Sequence, residues 1–374
     1  MSLLGIHLWL QWGASVPEPA AEVWMQALES VEVTHTDEGR SGFQLVFRVG
    51  RGQGAQGYAL LADPVAAVGS RVVLGLTVSG VPSVLFDGFI THQQFKPSMA
   101  PGGSQLTLTG EDVSCQMDRE ERSEEYPGQS DAAIVETILA RYAEFGVVAD
   151  VAIPEASEQP SEDERSSNQQ GTDYAYLQEL AARHGFSFFV VPGPVSGQSR
   201  AVWGPAMREG APQAALSINL DAESNVDSID FSFDGLAAEL YRGFVQDRES
   251  NQRVDVASTS TARPALGSGD PLAHARIRSY RESAATSAEA FAHAQALTDA
   301  STEGTLGATG ELDTGRYGRI LEARALVDLR GAGLSFDGTW YVKQVTHKVQ
   351  PGSYKQNFTL SRGEPGAATP SVEV

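Results

Sequence analysis

Leu85-Phe86-Asp87-Gly88-Phe89-Ile90 decides the fold, because the chain repeats the central tripeptide in a matching setting at Phe336-Asp337-Gly338. Fifteen residues separate Phe86 from Pro101, and the same interval separates Phe336 from Pro351. Each proline opens a turn rich in glycine, and an alternating apolar and polar stretch follows. Both copies therefore indicate a strand, a tight Asp-Gly turn, a long strand, a second turn and a returning strand.

The ends of the two copies also match, since the first closes on Gly110-Glu111 and the second on Gly363-Glu364. Coincidence is the alternative, because Asp-Gly is a common hairpin turn and a third Phe-Asp-Gly occurs at residues 233–235 without the later features. Repeats are informative when several features coincide. The pattern predicts a duplicated β unit whose turns are marked by Phe86, Asp87, Gly88, Phe336, Asp337, Gly338, Pro351 and Gly352.

Composition indicates a folded protein that does not bind nucleic acid. The chain has 374 residues, enough for two or three domains with their own cores. Its 41% hydrophobic and 20% charged residues are ordinary for globular proteins. The net charge of −21 argues against binding phosphate backbones, which depends on clustered lysine and arginine.

Cysteine usage and hydropathy bear on the compartment. Cys115 is the single cysteine, so an intrachain disulfide framework is excluded. No run of eighteen apolar residues predicts a transmembrane helix, and the first ten residues lack the basic region of a signal peptide. We expect folding and assembly in the cytoplasm, without insertion into a membrane.

The order of predicted elements gives an α+β, β-dominated fold with two related antiparallel β-barrel domains and an inserted α/β domain. We place the first β domain at residues 1–115, the insert with its acidic loop at 116–216, the second β domain at 217–364 and a flexible tail at 365–374. Helices are predicted over about 131–145, 173–183 and 287–300, the last beginning with a capping-box pattern of Thr286 and Glu289. Alternation of apolar and polar residues predicts a strand over 43–49. Residues 118–125 and 154–171 are expected to be loops.

No motif argues positively for catalysis, a cofactor or a metal. Gly52-Gln53-Gly54-Ala55-Gln56-Gly57 has dinucleotide-loop spacing, but Pro64 interrupts the helix that such a site needs, so a hairpin loop is favoured. The seven histidines are scattered. His92 and His347 recur in the repeat, and packing on a β face is favoured over a ligand site. We expect no enzyme activity and no cofactor.

Several motifs resemble the late-control protein D family of contractile-tailed phages, the hub fold also found at the front of valine-glycine-repeat spike proteins. They are Leu85–Ile90 with the strand end at 106–112, Tyr126-Pro127-Gly128-Gln129-Ser130-Asp131 with the helix after it, Gln170–Leu177, and Phe336–Val342 with His347 and Phe358-Thr359-Leu360. Together they cover about residues 25–362.

The resemblance implies a homotrimeric baseplate hub of tail-hub fold. Two β domains per chain, in three chains, would form a pseudo-sixfold ring that joins a sixfold inner tube to a threefold spike. Its expected partners are a spike protein as a separate chain, an inner tube or tube-initiator protein, and baseplate wedge proteins. An acidic lining of the ring would repel nucleic acid or acidic cargo in transit.

Two other classes of function remain open from the sequence. A tail-associated cell-wall hydrolase would need an acidic pair, which the 48 acidic residues neither exclude nor support. A carbohydrate-binding β module would need aromatic side chains exposed on one sheet face.

Overall fold

The computed structural model describes residues 2–3, 5–13, 17–50, 58–100, 102–154, 166–247, 250–259, 261, 263–281 and 286–367. Four predicted features lie wholly or partly outside these ranges. They are the glycine-rich segment 52–57, Pro101 of the first predicted turn, residues 155–165 of the acidic loop and residues 368–374 of the tail.

The described residues form 22 strands, most of them antiparallel to their neighbours. The strands are β1 (Ser2–Leu3), β2 (Ile6–Gly13), β3 (Glu18–Pro19), β4 (Leu28–Thr36), β5 (Gly42–Val49), β6 (Arg71–Val78), β7 (Val81–Lys96), β8 (Ser104–Asp112), β9 (Glu121–Pro127), β10 (Val147–Val151), β11 (Ser166–Thr172), β12 (Ser187–Pro192), β13 (Ser199–Gly204), β14 (Gln213–Ser217), β15 (Val226–Phe233), β16 (Glu239–Gln246), β17 (Arg253–Ala257), β18 (Arg276–Tyr280), β19 (Leu306–Asp313), β20 (Leu326–Arg330), β21 (Gly338–Gln350) and β22 (Ser353–Arg362).

Five α-helices accompany them: α1 (Glu22–Ala27), α2 (Asp131–Ala140), α3 (Asp173–Arg183), α4 (Ser287–Thr302) and α5 (Thr314–Tyr317). Each of the three longer helices begins at a hydroxyl N-cap, Ser130, Thr172 or Thr286. The hydroxyl oxygens accept the backbone N–H groups of Ala133, Ala175 and Glu289 respectively. At Thr286 the capping box with Glu289 is complete, as its sequence predicts. The helix expected over 131–145 ends earlier, at Ala140.

Two groups of five strands have the same topology. Within the first, the sheet order is β4-β5-β8-β7-β6, and within the second it is β15-β19-β22-β21-β20. All neighbours in both groups are antiparallel, and chain order maps one group onto the other strand by strand. We call them the first and second β units. The predicted β-dominated fold is confirmed, and both units belong to one 14-stranded sheet.

Strand pairing gives a residue-by-residue equivalence between the first strands of the units. Residues 28–34 of β4, Leu-Glu-Ser-Val-Glu-Val-Thr, correspond to residues 226–232 of β15, Val-Asp-Ser-Ile-Asp-Phe-Ser. Every position keeps its chemical type. Both strands also bulge at the same place, after Leu28 and after Val226. The sequence analysis missed this pair, although a comparison of the two heptapeptides alone would have found it.

The Phe-Asp-Gly tripeptides, in contrast, do not occupy equivalent positions. Ile90 lies opposite Gly110 and Val342 opposite Leu360, which aligns Gly88 with Trp340 and not with Gly338. The predicted Asp87-Gly88 turn is also wrong, because both residues lie inside β7. The turn before β7 is at Ser79 and Gly80, which both have positive φ. Asp87 and Gly88 remain extended because β6 and β8 pair with β7 on either side there.

The second tripeptide lies at a turn. Phe336 and Asp337 donate their backbone N–H groups to the Gly333 carbonyl, and Gly338 begins β21 with a φ of 110°. Pro351 and Gly352 form the tight turn between β21 and β22, where Gly352 has a φ of 85°. Such a φ favours glycine because it has no Cβ.

The described residues within 113–204 include α2 and α3 and have their own apolar core around these helices, and we call them the insert. The prediction of loops at residues 118–125 and 154–171 is wrong in part. Residues 121–127 are β9 and residues 166–172 are β11, and these strands pair as an antiparallel ribbon. Local charge predicted solvated loops, but the ribbon packs its Tyr126 and Gln169 side chains inward against the helices.

A smaller layer lies within the residues assigned to the second β domain. Strands β16, β17 and β18 form a separate three-stranded sheet, and α4 packs on it through Ala290 and Ala294. The chain then returns to the large sheet at β19. Each β unit keeps its own apolar core, one around Leu45 and Phe86 and the other around Trp340 and Phe358.

Replacing Gly88 with alanine should destabilise the first β unit. A Cβ at this position would lie 2.1 Å from the Glu111 carbonyl oxygen and 2.9 Å from Asp112 Cα, so backbone must move. We expect Gly88→Ala to lower the free energy of unfolding by about 1–3 kcal/mol, measured by urea denaturation.

Gly50→Ala is the matched control, because its Cβ would meet nothing within 4 Å and its φ is ordinary. We expect this variant to stay within about 0.5 kcal/mol of the parent protein. Equal effects of the two substitutions would contradict the close approach at Gly88.

Candidate functional site: the seam between the β units

The two β units meet edge to edge in an antiparallel pairing of β4 with β21, which we call the seam. It runs from Thr36 opposite Gln344 to Val31 opposite Val349. Glu32 lies opposite Lys348, an arrangement that favours pairing between exposed side chains of opposite charge. The Thr34 and Thr346 hydroxyl oxygens are 3.0 Å apart. The seam makes the two units a single sheet.

A bulge in β21 allows this strand to pair with strands of both β units. Its residues 338–341 pair with β20 of the second unit, and residues 344–349 pair with β4 of the first. The register shifts between Val342 and Gln344. This bulge at Lys343 turns the same strand edge from one partner to the other.

Arg324 connects three parts of the molecule at the end of the seam. Its guanidinium donates to the Ser41 hydroxyl at 3.1 Å and to the Thr36 carbonyl, both in the first unit. The same group lies 4.1 Å from the ring centroid of Phe189 in the insert. Arg324 itself belongs to the second unit, where its backbone N–H donates a hydrogen bond to the Val342 carbonyl at 2.7 Å. Burial of this cation without such partners would be costly.

His35 and His347 face each other across the seam, with ring centroids 5.6 Å apart. His347 is 1% exposed, and its Nδ1 is 2.9 Å from the Tyr354 hydroxyl. Burial lowers the pKa of His35 to about 3, with help from the charge on Arg324. Burial and the neighbouring His35 also lower the pKa of His347. Both rings are therefore neutral near pH 7.

His92 differs from His347, although the sequence placed them in one repeat. His92 is exposed on β7, so the expected packing on a β face is wrong for this residue and correct for His347. Strand pairing makes Phe95, not His92, the equivalent of His347. Among the residues that the structure describes, no group of three or more histidine, cysteine, aspartate or glutamate side chains could hold a metal ion.

A cleft of about 510 Å³ opens beside the seam, between the first unit, the insert and residues 320–325. Its lining includes His35, His347, Arg324, Asp150 and Glu322. The two histidines are weak bases because their pKa values are low, so they are poorly suited to general base catalysis near neutral pH. Their arrangement suits packing between the units.

Asp87 of the first tripeptide attaches the insert to the first unit. Its carboxylate accepts two hydrogen bonds from Arg71, at 2.7 and 3.0 Å, and both side chains are buried. It also accepts the Gly197 backbone N–H of the insert at 3.1 Å. The buried pair of Arg71 and Asp87 thus connects β6 and β7 to the insert through the Gly197 N–H.

The motif that carried the family resemblance, at residues 170–177, also has a structural role. Asp173 is buried and accepts hydrogen bonds from Tyr142 at 2.8 Å, from Gln169 at 2.7 Å and from Arg141 at 3.2 Å. Thr172 caps α3 and binds Asp118 at 2.5 Å. These contacts fix the β9–β11 ribbon against α2 and α3.

The remaining candidates from the sequence have packing roles. Phe86 is buried in the first core, and Phe336 stacks on Phe231 with ring centroids 4.2 Å apart. Asp337 accepts the Ala332 N–H at 2.8 Å. Burial raises the pKa of the Cys115 thiol to about 12, so the thiol stays protonated and is a poor nucleophile.

The family model described as "Alg8 N-terminal domain" matches residues 69–351 of this chain. That range covers about three quarters of the sequence and both β units in part. The description gives the name of a domain and no reaction. No curated protein matches the chain.

Solved structures of tail proteins are similar over nearly the whole chain. A tail protein from Neisseria meningitidis MC58 has a TM-score of 0.66 at 13% identity, covering 96% of this chain and 97% of its own. The 43 kDa tail protein of prophage MuSo2 from Shewanella oneidensis has a TM-score of 0.65 at 12% identity, covering 96% and 98%.

A third similar structure is a component of the type VI secretion system from E. coli, described as similar to two bacteriophage T4 tail proteins. Its TM-score is 0.58 at 12% identity, and the match covers 91% of this chain and 76% of that one. At these identities the likeness establishes the fold. The tail-hub fold inferred from the motifs is confirmed, whereas the matching family model has a different name from late-control protein D.

Removing the Asp87 carboxylate should destabilise the protein strongly. Asp87→Asn leaves the buried Arg71 cation without its anion, so we expect a loss of about 3–5 kcal/mol in the free energy of unfolding. Asp150→Asn is the control, because the Asp150–Arg200 pair is more than half exposed. Its loss should be below about 1 kcal/mol in urea denaturation. Similar losses for both would rule out the buried pair as an anchor.

The His347 ring should make stability fall in mild acid. Its folded pKa lies below the unfolded value of 6.5, so protonation favours the unfolded chain as pH drops below 6.5. In His347→Gln, the fall in unfolding free energy from about pH 6 to about pH 4.5 should be shallower by up to about 1.4 kcal/mol per pH unit.

The control is His92→Gln, which removes a histidine ring from an exposed position on β7. Asp37, whose pKa burial raises to about 6, acts with the opposite sign in the same range. Asp37 is present in the parent and in both histidine variants, so its contribution to the pH dependence of stability cancels when the three proteins are compared. Identical pH profiles of His347→Gln and the parent would contradict a neutral buried His347.

Proposed function

Since this chain belongs to the Alg8 N-terminal domain family and has the fold of phage tail proteins, we propose that it is a structural baseplate hub of a contractile tail or injection particle. Three copies form a ring. The ring joins the sixfold inner tube to the threefold central spike.

The shared topology of the two β units is the observation that carries this proposal. Each chain holds two five-stranded units of identical order, joined edge to edge at the seam. Three such chains offer six similar units to a sixfold partner while keeping threefold symmetry for the spike. A symmetry mismatch is thus resolved within one protomer, because its two units have diverged in sequence but not in strand order.

The proposed partners are the central spike protein, the inner tube or tube-initiator protein and the baseplate wedge proteins. The net charge of −21 favours these over nucleic acid. No helix in the described part of the chain is long and apolar enough to cross a membrane. We place assembly in the cytoplasm and the finished hub in a phage tail or an extracellular contractile particle.

We propose a non-enzymatic role. The buried polar groups near the cleft and in the insert bind one another: Asp87 with Arg71, Asp173 with Arg141 and Tyr142, and His347 with Tyr354. Catalytic groups need an accessible reacting atom and a pKa near the working pH. A cell-wall hydrolase is the competing class, and a zymogram on purified cell walls separates it from a hub.

The test is the stoichiometry and symmetry of the assembled protein. We expect native mass spectrometry of the full chain, alone at high concentration and in isolated particles, to give a trimer. Electron microscopy should show a ring with six similar lobes and exact threefold symmetry. A monomer or dimer in the particle, or clearing of cell walls in the zymogram, would contradict the proposal.

A further inference from the structure

In the described part of the large sheet, β1, β3 and β14 each pair with one strand only, and two longer strands, β7 and β15, also have an open edge. β7 pairs with β6 only up to Phe89, and Ile90 completes that side with backbone bonds to Gly69 and Ser70. From His92 to Lys96 the strand pairs with β8 alone. β15 pairs with β19 alone, and its other edge is open.

These two edges are equivalent to the two strands of the seam. β7 corresponds to β21, and the bulge after Ile90 matches the bulge after Val342. Lys96 of β7 therefore corresponds to Lys348 of β21. β15 corresponds to β4, so its Asp230 corresponds to Glu32. Each seam strand has a counterpart within this chain that lacks its partner.

Side-chain exposure supports a missing neighbour at β15. Val31 and Val33 of β4 are almost fully buried at the seam, whereas their counterparts Ile229 and Phe231 are only half-buried. Phe233, the counterpart of the half-buried His35, is 58% exposed. An apolar strand edge left open is an aggregation hazard, so natural proteins usually cover or pair it.

We propose that β7 of one copy pairs with β15 of a second copy, in the register of the seam. The proposal rests on the proposed function and specifies how its subunits join. The seam register places Lys96 opposite Asp230 of the second copy, Gln94 opposite Ser232 and Phe95 opposite Phe231.

The chemistry of these pairs is complementary. Lys96 and Asp230 would lie opposite each other with opposite charges, as Lys348 and Glu32 do within the chain. Phe95 packs against Tyr58 with ring centroids 4.7 Å apart, and Phe231 stacks on Phe336. Both phenylalanines thus lie on the core face of their units, and their meeting would join the two cores as His347 and Val33 do at the seam.

A contact between two different edges, β7 and β15, repeats from copy to copy, so it builds either a closed ring or an open filament. The proposed trimer is the closed case. Each copy contributes one seam and one contact of this kind. In a trimer the seams and the intermolecular contacts alternate, which gives six equivalent junctions around the ring.

Disulfide trapping tests the register in the full chain with Cys115→Ser. Gln94→Cys and Ser232→Cys should cross-link between copies under mild oxidation, because the equivalent Thr346 and Thr34 side chains are 3.0 Å apart. Gln93→Cys with Ser232→Cys is the matched control. Gln93 lies one residue along the strand, on the opposite sheet face, so it should not link.

The outcomes separate this inference from the proposed function. Linked dimers and trimers from the first variant, and none from the second, support the register. A trimer in which the first cysteine pair stays unlinked would overturn the register but not the proposed hub. Equal cross-linking of the control pair would have the same meaning. A chain that gives no cross-link and stays monomeric at its highest soluble concentration overturns both.

Charge reversal gives a second readout. Lys96→Glu and Asp230→Lys should each weaken self-association by about fivefold per contact, measured by sedimentation, and the double variant should recover most of it. Lys348→Glu, the same change at the equivalent seam position, should leave association unchanged because its partner Glu32 is in the same chain. Failure of the double variant to recover would overturn the Lys96–Asp230 pair.

Discussion

The antiparallel pairing of β4 with β21 is the constraint on which the rest of the structure depends. It joins two β units that are far apart in sequence, and their hydrogen bonds continue one sheet across both. A strand edge offers a fixed spacing and direction of donors and acceptors. The relative position of the units is therefore set by backbone geometry, and each unit presents an edge of known register to whatever lies next.

Buried polar groups make this arrangement specific. Arg324 binds backbone and side-chain oxygens of the first unit and stacks on Phe189 of the insert, so three parts of the chain share one cation. The Asp87 carboxylate likewise binds both Arg71 of the first unit and the Gly197 N–H of the insert. A displaced unit would leave such groups buried without partners, which costs more than a lost apolar contact. Apolar packing between the units would tolerate small shifts in their relative position, but the hydrogen bonds of Arg324 and Asp87 would not.

Sequence reasoning recovered the architecture better than the local detail. Alternation in residues 43–49 and the capping box at Thr286 fix a strand and a helix start from local chemistry, and both are present. The Asp87-Gly88 turn failed because a glycine in a strand also serves close approach of a neighbouring backbone. The β9–β11 ribbon was missed because Glu124 pairs with Arg141 and Arg122 with Asp173, which are distant in sequence from β9.

By itself the sequence determined that this protein is β-dominated and that helices lie between its β-rich parts. It predicted a doubled β unit from the Phe-Asp-Gly repeat, but the two tripeptides do not occupy equivalent positions. Periodicity, turn residues and helix caps act over a few residues, so they can be recognised without coordinates. Only the tertiary structure decided that β4 joins β21 and that the edges of β7 and β15 stay open in the described part of the sheet. Register and strand neighbours depend on contacts between distant segments, and no local pattern encodes those.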